Sequence, residues 1–281
     1  MYQRLPDTVL LEWLKEDAPY GDLTTQTLSL DKLPGHIVFA ARQPMTVCGT
    51  EEAVRIFELC GASARVGAPS GRHVLAGGEM LFAQGPAPAL LLAWKVAQTM
   101  MELASGIASE VARIVTELRA AGHSLPLACT RKTFPGTRAL MVKAVLSGGG
   151  VMHRLGLSDS LLLFPEHRIF VDADLDDMVG RLRRAQPEKR LVVEVTRLEE
   201  ALALAASGAE VLQLERFSPD AVRQCKTALH ASRLHPLLAV AGGVNASNAV
   251  AYAESGADIL VSSAPYHAQP KDVEVRFSRD V

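Results

Sequence analysis

The chain has 281 residues, with 29 Lys and Arg against 31 Asp and Glu, 48% hydrophobic side chains and a mean hydropathy of +0.14. A net charge of −2 gives no support for general binding to nucleic acid or to a membrane surface, and the length supplies one large domain or two with ample apolar material for a core. Cys48, Cys60, Cys129 and Cys225 are scattered without a CxxC pair, the usage of a reduced cytoplasmic protein rather than of a disulfide framework or zinc site. The N-terminal residues lack the apolar core and cleavage site of a signal peptide. The strongest apolar run, residues 87–101, contains Lys95 and Gln98 and is too short to span a bilayer, so a cytoplasmic location is expected.

Taken in order, residues 5–15 predict an amphipathic helix carrying Leu10, Leu11 and Leu14 on its apolar side. It leads into an irregular turn at 16–24, where Asp22 or Thr24 is a candidate cap. Residues 36–42 predict a strand, 51–59 a helix, and 64–66 and 80–83 short strands between glycine-rich turns, which together suggest a small α+β domain. A long helix is expected from about 88 to 121, with a kink or boundary at Ser105-Gly106. Beyond Gly122 the pattern becomes strand, loop, helix, repeated. Strands are expected at 125–130, 160–164, 190–196, 211–216, 237–241 and 259–263, with helices such as 198–206, 219–230 and 246–255 between them. Short, almost wholly apolar strands of this kind are parallel and covered on both faces, as in a β/α barrel. An alternating strand at 273–277 is placed to return to the sheet of the first domain.

The stretch 128–154 organises the rest. No Asp or Glu occurs between Glu117 and Asp159, and Arg131, Lys132, Arg138, Lys143, His153 and Arg154 lie inside that gap. The cations are interrupted by Pro135-Gly136 and by Gly148-Gly149-Gly150 rather than spread along one helix, a pattern that points to a site for a multiply charged anion more than to a solvated basic face. Chemistry in barrels sits where strands end, and those ends carry Arg131 and Lys132, Glu194, Glu215, Gly242-Gly243 and Ser262-Ser263. The last two are small-residue turns at the final strands, where phosphate sites are frequent. Glycine lets backbone N–H groups approach a phosphate, and a following helix N-terminus favours the anion.

These residues together resemble the quinolinate phosphoribosyltransferase family, also called nicotinate-nucleotide pyrophosphorylases. The landmarks are ED-x3-GD-x-T at 16–24, Ser105-Gly106-Ile107-Ala108, TRKT-x-PG-x-R at 130–138, GGG-x-x-HR at 148–154, Glu194 in VVEV, Gly242-Gly243 and His267. The resemblance implies an N-terminal α/β sandwich at 1–107, an incomplete β/α barrel at 108–265 and a C-terminal segment, 266–281, that returns to the first domain. It also implies a homodimer or larger assembly with active sites at the subunit interface. The reaction implied is attack of a ring nitrogen on C1 of phosphoribosyl pyrophosphate (PRPP) with loss of pyrophosphate, aided by Mg²⁺. Residue by residue, Lys132 matches a PRPP ligand, Glu194 an acid beside the ribose and Mg²⁺, and Glu215 a position usually held by Asp. Gly242 and His267 match the phosphate end, and Arg131, His153 and Arg154 match residues that grip the carboxylates of the acceptor.

The departures from the family pattern fall on the acceptor side. Lys95 replaces an Arg that reaches into the neighbouring subunit's site, and Phe164, within LLFPEH at 162–167, replaces a lysine that holds quinolinate. Glu215-Arg216 replaces Asp-Asn, Ala241 a Ser, and Ser263 a Gly. This set resembles the ModD branch of the family, associated with molybdate-transport operons. The reading is a PRPP-dependent phosphoribosyltransferase with an acceptor other than quinolinate. Its alternatives are a true quinolinate enzyme of NAD biosynthesis, and a non-catalytic protein that binds molybdate or a phosphorylated ligand. Glu194 and Glu215 argue against a simple oxyanion binder, because carboxylates repel molybdate unless a cation intervenes.

Overall fold

The computed structural model describes residues 4–30 and 33–279. In chain order the first elements are helices α1 (Asp7–Asp17) and α2 (Leu23–Thr27), strands β1 (Pro34–Ala41) and β2 (Met45–Thr46), and helix α3 (Thr50–Leu59). Strands β3 (Ser63–Val66), β4 (His73–Val74) and β5 (Glu79–Pro86) follow, then the long helix α4 (Ala87–Ala120). Next come β6 (Leu127–Cys129), α5 (Arg138–Ser147), β7 (Val151–Met152), β8 (Leu161–Leu163), α6 (Pro165–Ile169) and α7 (Leu175–Ala185). The chain ends with β9 (Leu191–Val195), α8 (Leu198–Ala206), β10 (Val211–Glu215), α9 (Pro219–Ala231), β11 (Leu237–Ala241), α10 (Ala249–Glu254), β12 (Ile259–Ser262), a 3₁₀ turn at Ala264–His267 and β13 (Val273–Ser278).

Two compact units result. One comprises Met1–Ala112, Thr133–Gly149 and Pro265–Val281; the other comprises Arg113–Lys132 and Gly150–Ala264. The first is built on an antiparallel sheet in the order β13-β1-β5-β3, so the C-terminal strand does return to the N-terminal sheet, with Phe39 opposite Val275. Its core brings Phe39 edge-on to Phe57 of α3 at 5.8 Å. Asp22 caps α2 by accepting from the N–H groups of Thr24 and Thr25, so the acidic turn has a structural role. Helix α4 runs through Ser105-Gly106 without interruption, contrary to the expected kink or boundary. Gly106 is there for space: a Cβ would lie 2.5 Å from the carbonyl oxygen of Gln269.

The second unit holds seven strands in the order β7-β6-β12-β11-β10-β9-β8, parallel throughout, the incomplete β/α barrel that the resemblance implies. Period-two alternation sorts their side chains. Val193, Val195, Leu212, Leu214, Leu238, Val240 and Leu260 are buried on one face, toward the layer of α7, α8, α9 and α10. The other face carries a small apolar plug of Ala128, Val211, Ala239, Ala241 and Val261, flanked by Val192, Leu237 and Ile259. Polar residues stand next to this plug toward the C-terminal strand ends, and three of its members are alanines, which leaves room above it. Among the described residues no helix is long and apolar enough to cross a membrane, and all four cysteines are free.

Candidate active site

A cavity of about 970 Å³ opens at the C-terminal ends of the parallel strands. It gathers Arg131, Lys132, His153, Arg154, Phe164, Glu194, Glu215, Gly242, Gly243, Ser262 and Ser263, eleven residues drawn from seven strand ends. Lys95 and His267 are not brought to it; both belong to the other compact unit. Lys95 is exposed on α4, its ammonium 4.2 Å from the Trp94 ring centroid, and His267 ends the 3₁₀ turn. Of the basic stretch, Arg138 and Lys143 also do not line the cavity. Lys143 is instead buried and paired with Glu51 and Glu52 at 2.9 and 2.6 Å, so its place in the acid-free gap reflects packing rather than anion binding.

Strand order turns the lining into a graded arc. At one end β7 and β6 lead into His153, Arg154, Arg131 and Lys132; then come the turns after β12 and β11; then Glu215 on β10 and Glu194 on β9; and last Phe164 after β8. Apart from the exposed Arg216, 3.7 Å from Glu215, cations and carboxylates are thus separated by neutral, small-residue turns. The sheet does not close by strand pairing, but the Arg154 guanidinium carbon lies 5.5 Å from the centroid of the Phe164 ring, spanning the seam between the loops after β7 and β8.

Each cation is set differently. The loop carrying Arg131 and Lys132 is pinned where the Thr130 N–H donates to the Ser262 carbonyl (3.0 Å) and the Lys132 N–H to Thr130 Oγ1 (3.3 Å). Lys132 is exposed. Arg154 is only 5% exposed and forms no ion pair among the described residues. Burial, then the charge of Arg131, lowers its pKa, which marks a guanidinium that gains from an incoming anion. Burial and then Arg154 also lower the pKa of His153, so near neutral pH it is an uncharged hydrogen-bonding ring and not a fourth cation of the cluster.

On the carboxylate side, Glu194 Oε2 accepts from Gln213 Nε2 at 2.7 Å. Burial first, then the charge of Glu215, raises the pKa of Glu194, while the Gln213 hydrogen bond works the other way. The strand end behind Glu194 is braced by Arg168, which pairs with Glu200 and donates to the Glu194 carbonyl, and by the Thr196 N–H bonding Glu200 Oε2. Two carboxylates so placed suit a hard divalent cation that completes its shell with substrate oxygens. Among the described residues no group of three or more His, Cys, Asp or Glu could hold a metal ion, so such an ion would depend on oxygens from the substrate.

The glycine turn serves the carboxylates as well as any phosphate. Gly242 has φ +87°, and a Cβ there would lie 2.8 Å from Glu215 Oε1 and 2.7 Å from the Arg216 side chain. Gly243, at φ +99°, faces open space. The helix expected from 246 begins only at Ala249. Asn245 and Asn248 take over the first turn: the Asn245 N–H bonds Asn248 Oδ1, the Ser247 N–H bonds Asn245 Oδ1, and both amides donate to the Gly243 carbonyl. The N–H groups of Asn245 and Ser247 are therefore occupied by side chains of the turn itself. Ser262 is likewise committed, its Oγ donating to the Val244 carbonyl and accepting from the Ala264 N–H.

Phe164 is half-buried and not a core residue. Its N–H donates to His167 Nδ1 at 3.0 Å, and the two rings stack 5.7 Å apart at 23°. Gln213, Glu166, His167 and Arg216 also line the cavity and were not foreseen. Gln213 had a signal, being the one polar residue in the apolar run Val211 to Leu214; His167 and Arg216 had none beyond their neighbours.

The comparisons with known proteins agree with this geometry. The family model described as the C-terminal domain of quinolinate phosphoribosyl transferase matches residues 107–276, and the N-terminal domain model matches 22–105. The chain is 50% identical over 247 residues to pyrophosphorylase ModD of Rhodobacter capsulatus, covering 87% of this chain and 95% of that protein. It is 33% identical over 267 residues to the carboxylating nicotinate-nucleotide pyrophosphorylase of Mycobacterium leprae, covering 91% and 90% of the two chains. In three dimensions it is similar to the nicotinate-nucleotide pyrophosphorylase of Francisella tularensis, with a TM-score of 0.88, 24% identity and 99% of each chain covered.

Proposed function

We propose that this chain, which belongs to the quinolinate phosphoribosyltransferase family, transfers the phosphoribosyl group of PRPP to a ring nitrogen of an acceptor other than quinolinate. That it is a phosphoribosyltransferase follows from the family and from its pyrophosphorylase relatives. The acceptor, the metal and the roles of single residues are our reading. The observation that carries it is the graded arc of one cavity, with Arg131, Lys132 and Arg154 at one end, the strand-borne Glu194 and Glu215 at the other and small-residue turns between.

In this reading Lys132 and the turns at Gly242-Gly243 and Ser262-Ser263 hold the phosphate groups of PRPP. Glu194 and Glu215 face the ribose and would hold Mg²⁺, which when bound supplies positive charge to the pyrophosphate leaving group. As the C1–N bond forms, the C1–O bond breaks and its electron pair leaves with pyrophosphate; the sugar then carries developing positive charge. The carboxyl groups of Glu194 and Glu215 stabilise that charge, and Lys132 stabilises the departing oxygens, each pre-placed on a rigid strand end. Arg131 and Arg154 attract an anionic group of the acceptor, neutral His153 donates a hydrogen bond, and Phe164 gives the ring a flat face at the seam. With a ring where quinolinate enzymes keep an ammonium, the acceptor is flatter, more apolar or less charged than quinolinate. By analogy with the family Arg, Lys95 reaches a neighbouring subunit's cavity in a homo-oligomer with shared sites.

A thermal-shift titration tests the reading. PRPP with Mg²⁺ should stabilise the wild-type fold and molybdate should not, by the mass action of a ligand that binds only the native state. Lys132→Ala should abolish the PRPP shift while the variant stays folded. An unchanged shift in Lys132→Ala, or stabilisation by molybdate alone, overturns the assignment. An acceptor screen monitored by pyrophosphate release then identifies the second substrate.

A further inference from the structure

Gln213 lies mid-strand in β10, where every neighbour from Val211 to Leu214 is apolar and buried. It is only 5% exposed, yet it lines the cavity, because it shares a face with Glu215 two residues on. On the adjacent strand its register partner is Glu194. The 2.7 Å bond from its Nε2 to Glu194 Oε2 fixes the amide. The reverse orientation would set two acceptors against each other with no proton between them. So held, Gln213 Oε1 is buried and has no hydrogen-bond partner among the described residues. The floor beside it is Ala239, Ala241 and Val261, none of which has a side-chain donor to offer. Buried acceptors in folded proteins are nearly always satisfied, so this one points to a donor that arrives with the ligand.

We propose that Gln213 determines sugar specificity: its Oε1 accepts a hydrogen bond from one hydroxyl of the pentose of the phosphoribosyl donor, while its Nε2 positions Glu194. The inference rests on the PRPP reading above. Gln213 stands at the acceptor-rich end of the arc, next to Glu194 and one pleat below Glu215, and away from Arg131, Lys132 and Arg154 in the strand order. A pair of vicinal hydroxyls presents two donors side by side, which matches two acceptors, Glu194 and Gln213, on adjacent strands. A polycarboxylate acceptor has no donor to give them at neutral pH.

The test measures binding of PRPP, ribose 5-phosphate and its 2-deoxy and 3-deoxy analogues by calorimetry with Mg²⁺, in wild type, Gln213→Met and Gln213→Leu. The two variants keep the bulk of the side chain and remove both polar atoms, and thermal unfolding confirms which of them is folded. Wild type should prefer ribose 5-phosphate to each deoxy analogue by roughly tenfold, the loss expected for one hydrogen bond. Removal of Gln213 should erase the preference against one analogue and leave the preference against the other. Loss of both together would mean that Gln213 acts only by placing Glu194, and retention of both would mean that it meets no hydroxyl; either overturns the proposal. If wild type binds neither PRPP nor ribose 5-phosphate the PRPP reading itself fails, whereas PRPP binding that depends on Lys132 with sugar preferences untouched by Gln213 sinks this inference alone.

Discussion

A ring at position 164 changes what Arg154 can do. A lysine there would set an ammonium against a guanidinium that is already 95% buried, whereas the phenylalanine ring offers that guanidinium a face at 5.5 Å. For a dicarboxylate acceptor the exchange removes one charge-assisted hydrogen bond, about 1.5–3 kcal/mol, or roughly ten- to hundredfold in affinity. Phe164→Lys should therefore tighten quinolinate binding toward the lower end of that range, since repulsion from Arg154 takes back part of the gain; calorimetry checks it, and an unchanged Kd would remove Phe164 from acceptor recognition. Glu194 gives a pH prediction at the same scale. Its pKa is raised from the ordinary 4.5 by burial and by Glu215, so the folded chain holds this proton more tightly than the unfolded chain. Its contribution to stability is therefore fully present below the unfolded value and is lost as pH rises through the raised one. Glu194→Gln should be more thermostable than wild type at pH 8 and lose that advantage below about pH 4.5, while PRPP binding with Mg²⁺ is impaired throughout; a constant difference in melting temperature across pH would contradict the shift. Placement at the cavity was legible where a charge stands at a strand end, as with Lys132, Glu194 and Glu215. The charge state of His153 was not legible, because it depends on burial and on Arg154.

Elements show where pattern reading holds and where it stops. The strand 237–241 and the helix 198–206 stand as periodicity placed them, because apolar repeats there carry both boundaries. Helix α7 was not among the helices the pattern named because it carries five charged residues, Asp176, Asp177, Arg181, Arg183 and Arg184, and only Met178 and Val179 are buried. The shortened α10 reflects side chains of Asn245 and Asn248 that replace backbone partners in its first turn. Lys143 on α5 illustrates a limit of charge counting. It is 3% exposed beside Glu52 at 0%, and Glu52 also accepts from the Leu5 N–H. Burial opposes its charge, but the hydrogen bonds and charges of Glu52 and Glu51 outweigh that and raise its pKa. Sequence places Lys143 eleven residues from Lys132, yet no local pattern encodes its partners more than ninety residues away. Lys143→Ala leaves a buried carboxylate uncompensated and should cost about 3–5 kcal/mol in urea unfolding. The double variant Lys143→Met, Glu52→Gln should recover a large part of that loss; equal losses in the two would show that packing, not the unpaired charge, sets the cost.

For the whole molecule, the chain's path matters more than its pieces. The first compact unit is assembled from three separated segments, and its central strand β1 is paired on one side by β13, the last strand of the chain. Non-local assembly of this kind leaves little trace in hydropathy, although the alternation at 273–277 did reveal the returning strand. The assembly of copies is the remaining level, and it bears on Lys95. That residue is exposed on α4 and lines no part of its own chain's cavity. If it serves the cavity of a second copy, as the family Arg does, then Lys95→Ala and Lys132→Ala chains are each inactive alone for different reasons. In a mixed dimer, the Lys95→Ala chain keeps Lys132 in its own cavity and receives an intact Lys95 from its partner, so one of the two sites is complete. Random re-pairing of equal amounts makes half of the dimers mixed, and about a quarter of wild-type pyrophosphate release should return. Were a mixed dimer, verified by differently tagged chains, to stay inactive, Lys95 would be confined to its own chain; a monomer at assay concentration would dispose of shared sites altogether.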